Sequence, residues 1–254
     1  MNPGDKSTLR HWDEVWKQAP RMRLPWPVTA SACDRMGLLQ REVKPGMRLL
    51  EIGCAPGKIL AYAAAVLGAQ VSGIDYSERG LNWNRQLFAT LGIKGDLRCE
   101  DIFRTTFPDH AFDVVYSGGV IEHFDDPSEI VRIHLRLVKP GGVVLITIPN
   151  FAGFYRRLAA EENLAIHNTG IMNREALLKL CPRDLTASAE AYPYGRFSLG
   201  TASALRKIFP RSLSMALVLL SEIAGLMQPF HIPSLCPHLV LRIQRKHPTL
   251  PEQQ

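Results

Sequence analysis

The segment from Arg48 to Lys58 constrains the fold more than any other part of the chain, and it reads R-L-L-E-I-G-C-A-P-G-K. It begins with a short apolar run around Leu50, which is typical of a strand buried on both faces. Gly53 and Gly57 interrupt this run, and the Ala- and Leu-rich residues 59–67 predict a helix. The sequence therefore predicts a strand, a glycine turn and a helix, a unit that brings bare backbone and a helix N-terminus close to a ligand.

Glu51, just before the first glycine, separates two classes of ligand. A dinucleotide fold carries G-x-G-x-x-G because its pyrophosphate lies on the turn, whereas here Ala55 stands between Gly53 and Gly57. A carboxylate at this place repels a pyrophosphate and attracts a cationic amino group. An ordinary strand-to-helix turn without a ligand is the alternative, and the motifs downstream disfavour it.

This segment resembles motif I of the class I S-adenosylmethionine-dependent methyltransferases, whose usual form is E/D-x-G-x-G-x-G; Ala55 replaces the middle glycine. The resemblance implies S-adenosyl-L-methionine as the cofactor. It also implies that Gly53, Cys54, Ala55 and Gly57 give the cofactor room along the backbone. Glu51 is then expected to hold the methionine amino group, directly or through water.

Strand and helix patterns alternate from Pro45 to Asn150, which predicts a parallel sheet with helices on both faces. The resemblance adds a Rossmann-like α/β methyltransferase sheet of seven strands with the last strand antiparallel. We predict an N-terminal helical cap over 1–45 with a proline connector, a cofactor-binding core over 46–150, and substrate-cap helices and closing strands over 151–254. The predicted strands are 49–52, 70–75, 97–100, 112–117, 143–148, 185–192 and 238–244, and the helices besides 59–67 are 9–18, 28–42, 78–91, 127–137, 151–163, 174–180 and 212–227.

Acidic residues follow the second and third predicted strands. Asp75 ends the second strand, where a carboxylate can accept hydrogen bonds from both ribose hydroxyls of a nucleoside; a role at the start of the next helix is the alternative. We assign the adjacent Tyr76 to the same site. By the resemblance, Asp101 receives the adenine amino group and Ile102 packs on the ring, unless both belong to a solvated loop.

The fourth predicted strand leads into F-D-V-V-Y-S-G-G-V-I-E-H-F over 112–124. Nucleic-acid amino methyltransferases of this class carry N/D-P-P-Y/F there, and this chain has S-G-G-V from Ser117. The E-H-x-x-D-P pattern of 122–127 and K-P-G-G-V-V-L-I-T-I-P of 139–149 instead resemble the small-molecule branch, which includes the ubiquinone-biosynthesis O-methyltransferases. The resemblance implies that Ser117 lies at the methionine end of the cofactor.

Two histidines are candidate general bases, because an imidazole with a pKa near 6.5 accepts a proton at neutral pH. His123 follows the fourth strand and His167 lies in the insert after the fifth; packing and lid roles are the respective alternatives. Glu122, His123 and Asp126 are too few for a divalent ion without a second acidic element, so we predict no metal.

Two apolar segments lie outside the core. Trp12 and Trp16 share a predicted helix. Trp12 is expected to stack on a substrate ring or to attract the sulfonium, and docking of the cap helix is the alternative. The segment 213–226 carries little charge, whereas membrane-surface helices are usually rich in lysine on one face. We therefore predict that it is buried in the cap, as the wall of an acceptor pocket.

The charge and the cysteines limit the partners. The net charge of +6 permits nucleic acid or an anionic membrane as partner, but the cations are scattered, so we do not expect nucleic acid and do not favour membrane contact. Five cysteines without a C-x-x-C pair, and no secretory signal, predict a reducing cytoplasm.

These features predict SN2 transfer of a methyl group to a small-molecule acceptor, with oxygen favoured over nitrogen or carbon. The acceptor is of secondary-metabolite, quinone, sugar or lipid type. The alternatives are an RNA-modifying methyltransferase, a non-catalytic module that keeps the cofactor site, and a nicotinamide dehydrogenase, which the missing glycines disfavour.

Overall fold

Seven strands form one sheet in the computed structural model, which describes residues 4–17, 30–202 and 204–247. In chain order the strands are β1 (Arg48–Ile52), β2 (Gln70–Asp75), β3 (Gly95–Cys99), β4 (Phe112–Gly118), β5 (Val138–Pro149), β6 (Thr186–Tyr194) and β7 (His238–Arg245). Across the sheet their order is β3-β2-β1-β4-β5-β7-β6. The first five strands run parallel, and β7 is antiparallel to both β5 and β6. The predicted Rossmann-like methyltransferase sheet with an antiparallel last strand is confirmed.

Helices flank the sheet on both faces. They are α1 (Leu9–Val15), α2 (Ala30–Glu42), α3 (Lys58–Ala65), α4 (Glu78–Leu91), α5 (Ser128–Leu137), α6 (Glu161–Ala165), α7 (Arg174–Lys179), α8 (Leu205–Ile208) and α9 (Arg211–Met227). In the described part of the chain, none of them is long and apolar enough to cross a membrane.

The predicted bounds of α4 are confirmed because its ends are set by local signals. The Ser77 side chain accepts a hydrogen bond from the amide of Gly80, and Gly92 ends the helix at φ +65°. Ser77 thereby satisfies one of the amide donors that a helix N-terminus leaves unpaired.

The single helix predicted over 151–163 is wrong. Gly153 has φ +58°, and Ala159 and Ala160 are extended, so only a 3₁₀ turn at Tyr155–Leu158 and the short α6 form. The first helix ends at Val15, short of the predicted end at Gln18. Two predictions lie outside the described residues: the start of the second helix at Val28, and the connector with Pro20, Pro25 and Pro27.

Alternate residues of the strands fill two hydrophobic clusters on opposite faces of the sheet. Leu50 and Ile52 of β1 pack with α5, and Leu49 packs with α2, α3 and α4. The carboxyl ends of the parallel strands meet at one edge, where open α/β sheets bind their ligands. The division of the chain into three parts stays a prediction.

Candidate active site

The turn after β1 has no main-chain donor left for a phosphate. Every amide from 53 to 57 that carries a hydrogen is used inside the protein: Gly53 and Cys54 donate to the carbonyl of Ile74 (2.8 and 3.1 Å), Ala55 to Oδ2 of Asp75 (3.1 Å) and Gly57 to the carbonyl of Cys54 (2.8 Å). A phosphate-binding turn needs several free amides that converge on the anion. The turn is therefore unsuited to a pyrophosphate, as the sequence predicted.

Two glycines are required where other side chains reach the turn. Gly57 has φ +88°, and a Cβ there would lie 2.8 Å from Cγ of Asn84; at Gly53, with φ +72°, a Cβ would lie 2.6 Å from Cγ2 of Val120. Asn84 is fully buried and donates to the carbonyl of Cys54 at 3.0 Å. Sequence reasoning missed Asn84, although its place two turns after the Ser77 cap puts it on the face of α4 that meets this turn.

Glu51 is a buried carboxyl group that lacks a full set of partners. Its side chain is 5 % exposed, and Oε2 has no hydrogen-bond partner among the described residues. Burial, and then the charge of Asp75, raise the pKa of Glu51 well above its usual range, against a smaller opposing effect of Arg35. An unpaired buried carboxyl oxygen destabilises a fold unless something pairs with it. An ammonium group has the right charge and donors, so this residue fits the amino end of a methionine.

Asp75 joins the turn to the start of α4. Its Oδ2 accepts from Ala55 and its Oδ1 from the amide of Ser77 at 2.9 Å, while Ser77 itself caps the helix. Burial raises the pKa of Asp75 to about 6, so the group is ionised at neutral pH. Each carboxylate oxygen keeps a second lone pair, which leaves Asp75 able to accept from the hydroxyls of a ribose.

The other predicted nucleoside residues are only partly brought together. Burial raises the pKa of the Tyr76 phenol, and the nearby carboxylates of Asp5 and Asp101 raise it further. Asp101 also accepts from the amide of Phe103 at 3.0 Å. Ile102 belongs to the hydrophobic core and is 8 % exposed, so only its main chain and a fraction of its side chain are available at the crevice.

Residues 4–17, which we call the strap, cross this edge of the sheet. The amide of Lys6 donates to the carbonyl of His123 after β4 (2.7 Å), and Asp13 accepts from the hydroxyl of Ser77 after β2 (2.6 Å). Because β1 lies between β2 and β4, the strap passes over the turn that follows β1. Trp16 completes the crossing, since its carbonyl accepts from the Trp83 indole at 3.1 Å.

Trp12 lies in the strap and contacts the candidate base. Its ring meets that of His123 edge to face at 5.2 Å, and its indole donates to the hydroxyl of Ser7 at 3.0 Å. The structure therefore places Trp12 at the end of β4, with the ring held on both sides.

The buried Glu122 and His123 form a cluster with the half-buried His167 at the end of β4. One ligand-type atom from each side chain lies within 4.8 Å of those of the other two. Nδ1 of His123 is 2.9 Å from the carbonyl of Ile166, and Nδ1 of His167 contacts the carbonyl of Asn163. A carbonyl only accepts, so each Nδ1 carries the hydrogen and each Nε2 presents a lone pair.

The cluster is close to neutral at physiological pH. Burial, and then the neighbouring His167, lower the pKa of His123 to about 4, while burial raises the pKa of Glu122 to about 8. Neither carboxyl oxygen of Glu122 has a hydrogen-bond partner in the described part of the chain. Asp126, which the sequence grouped with this pair, is exposed and accepts from the amide of Ser128 at 3.0 Å. In the structure His167, rather than Asp126, joins Glu122 and His123.

The hydroxyl of Ser117 is turned away from the crevice. It lies 2.9 Å from Nε2 of His134, whose Nδ1 is 2.7 Å from the carbonyl of Ile130, and both side chains are fully buried. Only the main chain of Ser117 remains for the methionine end. Sequence reasoning missed His134 because nothing in α5 indicates that a strand hydroxyl meets it.

A cavity of about 540 Å³ lies at the end of β5. Asn150, which follows β5, lines it together with Phe154 and Arg157. The intervening Phe151 touches His167, with ring centres 5.2 Å apart. The segment after β5 therefore lines the cavity with an aromatic wall, Phe154, and one cation, Arg157, and it contacts His167 through Phe151.

A family model described as a methyltransferase domain matches residues 50–146. A ubiquinone biosynthesis O-methyltransferase from Bordetella bronchiseptica is 34% identical over 161 residues, which are 61% of this chain and 66% of that protein. Phosphoethanolamine N-methyltransferase 1 of Zea mays is 37% identical over 110 residues, 41% of this chain and 21% of that protein. The chain thus spans between about a fifth and just under two thirds of the length of these curated relatives.

Among solved structures, phosphoethanolamine N-methyltransferase 2 of Haemonchus contortus, in complex with phosphomonomethylethanolamine and S-adenosylhomocysteine, has a TM-score of 0.55 at 20% identity. The match covers 84% of this chain and 52% of that one. At this identity the likeness concerns the fold.

The sheet order, the turn with its donors used up and the buried Glu51 define a Rossmann-like methyltransferase rather than a dinucleotide-binding protein. The family match over residues 50–146 and the curated relatives, taken with this sheet, support a class I S-adenosylmethionine-dependent methyltransferase domain. The cofactor of this class is S-adenosylmethionine.

Proposed function

We propose that the protein transfers a methyl group from S-adenosylmethionine to a hydroxyl oxygen of a small-molecule acceptor. The observation that carries this proposal is the neutral His123, which presents Nε2 with its lone pair beside Glu122 and His167 at the end of β4. A hydroxyl acceptor must lose its proton when the oxygen is alkylated, and a base at this place can accept that proton. A tertiary-amine acceptor has no such proton to lose.

Three carboxyl groups are proposed to hold the cofactor. Glu51 pairs its buried oxygen with the methionine ammonium group, Asp75 accepts from the ribose hydroxyls, and Asp101 accepts from the adenine amino group. The bound cofactor supplies an electrophilic methyl group on a sulfonium centre. The cation is reactive on its own, so the protein contributes mainly alignment and the exclusion of water by the strap.

His123 is proposed as the general base. The carbonyl of Ile166 fixes the tautomer through Nδ1, so Nε2 receives the acceptor's proton. A pKa of about 4 is low for a base in water, but a hydroxyl oxygen becomes strongly acidic as it is alkylated. A weakly basic imidazole that stays neutral at physiological pH is therefore sufficient.

The acceptor is proposed to enter through the cavity at the end of β5, whose neighbour Phe151 contacts His167. Phe154 offers an aromatic wall and Arg157 a positive charge at the rim. This combination fits an aromatic or aliphatic hydroxyl compound with a polar or anionic end.

The test follows transfer of a labelled methyl group to a panel of phenols, catechols, aliphatic alcohols and amines, with S-adenosylhomocysteine binding measured by calorimetry. His123→Gln is expected to lower kcat by about 10²- to 10⁴-fold with little change in binding of S-adenosylhomocysteine. His167→Gln is the matched variant, because that ring lies 4.6 Å from His123, whereas it is the His123 ring that contacts Trp12 of the strap.

Three outcomes would contradict the proposal. If the His123→Gln variant still methylates a hydroxyl acceptor from pH 6 to 9, His123 is not the general base. Transfer to amines alone makes the chain an N-methyltransferase. Loss of turnover with a chelator, restored by Mg²⁺, would assign the cluster to a metal ion instead.

A further inference from the structure

Helix α9 has its polar side inside and its apolar side outside. The inner stripe holds four buried residues, namely Ser214, Ser221, Glu222 and Gly225. The outer side holds seven large apolar side chains that are 43 to 80 % exposed: Leu213, Met215, Leu219, Leu220, Ile223, Leu226 and Met227. The prediction that this segment is buried in the cap is therefore wrong.

The inner stripe fixes this orientation through specific bonds. The Ser214 hydroxyl donates to the carbonyl of Leu205 at 3.0 Å, and the Ser221 hydroxyl accepts from the amide of Leu199 at 2.8 Å. Glu222 accepts from the amide and hydroxyl of Ser31, both at 3.1 Å. Turning the helix to bury its apolar side would break these bonds and leave their donors and acceptors without protein partners.

The apolar surface continues past both ends of the helix. Ile208 and Phe209 precede it and Phe230 follows it, with exposures of 63, 37 and 65 %. We call these three residues and the seven on the outer side the α9 face. In the described part of the chain, the remaining exposed large apolar side chains number four, on other surfaces or at its margin: Leu9, Val15, Val66 and Phe154. Apolar patches of this concentration mark interaction sites.

Basic residues outnumber acidic ones in the segment that carries the α9 face. From Leu205 to Phe230 the sequence has three cations and one acid, and that acid, Glu222, is buried. Arg211 is exposed at the start of α9, and Lys207 pairs with Glu162. A second exposed basic pair, Arg156 and Arg157, adjoins this region, because the carbonyl of Leu158 accepts from the amide of Ala204 just before α8.

We propose that the α9 face docks onto a membrane surface that contains anionic lipids, with α9 lying in the plane of the interface. At about 100° per residue the exposed apolar positions of α9 span an arc of about 160°. A partner helix would cover only a narrower stripe of this apolar surface, whereas lipid can contact the whole arc. Apolar side chains with basic residues at the margin are the composition that binds anionic bilayers.

Docking in this way brings the acceptor cavity to the bilayer. Phe154 and Arg157 line that cavity and belong to the segment with the basic pair. The cavity is part of the proposed function, whereas the docking surface is independent of it, since sedimentation with vesicles does not require turnover.

The test is co-sedimentation of the full chain with phosphatidylcholine vesicles, with and without an equal share of phosphatidylglycerol, at about 0.1 M salt. The protein is expected to partition to the anionic vesicles. The double variant Leu219→Gln with Leu220→Gln is expected to partition at least about tenfold less, because both side chains are about 60 % exposed. Arg211→Gln should lower partitioning to anionic vesicles several-fold and leave partitioning to neutral vesicles almost unchanged.

Val66→Gln is the matched control, because it changes an exposed valine of 37 % exposure outside the α9 face. Circular dichroism and S-adenosylhomocysteine binding check that each variant is folded. Equal partitioning of the double variant and the parent protein, or no partitioning to anionic vesicles, would overturn the proposal. A dimer in sedimentation equilibrium that the double variant dissociates would assign the face to a second copy and overturn it as well.

Discussion

His134→Gln tests whether a buried neutral imidazole holds the end of β4. The imidazole is fully buried between the carbonyl of Ile130, at 2.7 Å, and the hydroxyl of Ser117, at 2.9 Å. Nδ1 donates to the carbonyl, so Nε2 accepts from the hydroxyl. Protonation would add a buried charge and turn that acceptor into a donor. Burial accordingly lowers the pKa of His134 from 6.5 to about 4.

The size of the effect follows from these two values. A histidine whose pKa is lowered by folding contributes stability that is complete above 6.5 and lost as the pH falls towards 4. Each tenfold difference in proton affinity is worth about 1.4 kcal/mol. The loss attributable to His134 is therefore about 2 kcal/mol at pH 5 and approaches about 3 kcal/mol below pH 4.

Urea unfolding of the parent protein and the variant at pH 7.5 and pH 5 measures this loss. At pH 7.5 the glutamine variant is expected to be about 1–2 kcal/mol less stable, because it loses the bond to Ile130 and keeps an acceptor for Ser117. At pH 5 this deficit should vanish or change sign. Contributions from other titrating groups cancel in the difference.

His247→Gln is the control, since this imidazole is exposed after β7. Its effect should be the same within about 0.5 kcal/mol at both pH values. If the stability deficit of His134→Gln is equally independent of pH, the imidazole is not a buried neutral acceptor. The claim that the Ser117 hydroxyl donates to its Nε2 then fails as well.

Two further predictions concern the turn after β1. Gly57→Ala should lower the free energy of unfolding by about 2–3 kcal/mol, because an L residue is strained at φ +88° and its Cβ would lie 2.8 Å from Asn84. Gly92→Ala is the control, at φ +65° with open space around it, and it should lower the free energy of unfolding by only about 1 kcal/mol. Equal losses in the two variants would refute the steric argument. Glu51→Gln should weaken binding of S-adenosylhomocysteine by about 10- to 100-fold in calorimetry, since the ammonium group loses a buried charged partner. Exposed Glu129→Gln should leave that affinity unchanged, and an unaltered affinity for Glu51→Gln would remove Glu51 from the amino-group site.

The parallel core was predictable because its signals are local. The apolar run of β1, the Ser77 cap and Gly92 act within their own segments, and the chain folds there as the pattern indicates. The helix predicted over 151–163 failed because Gly153 takes a positive φ, which depends on the surroundings as much as on the residue.

The side chains of the site were less predictable because their partners come from distant segments. His167 joins Glu122 and His123 from 44 positions along the chain, and His134 meets Ser117 across the sheet–helix interface. Helix α9 illustrates the same limit, because apolar periodicity marks which residues share a face and says nothing about which face the protein covers. The bonds of Ser214, Ser221 and Glu222 decide that the apolar side points outward.

The strap has a kinetic consequence for ligand exchange. Its bonds from Lys6 to His123 and from Ser77 to Asp13 join the two sides of the crevice, so a molecule that enters must first displace them. At about 1 kcal/mol for each such bond, opening the strap adds about 2 kcal/mol to the barrier for entry and for release alike. Because the same bonds re-form over a bound cofactor, loosening the strap would speed exchange with little change in equilibrium affinity, while it lets water reach the reacting groups.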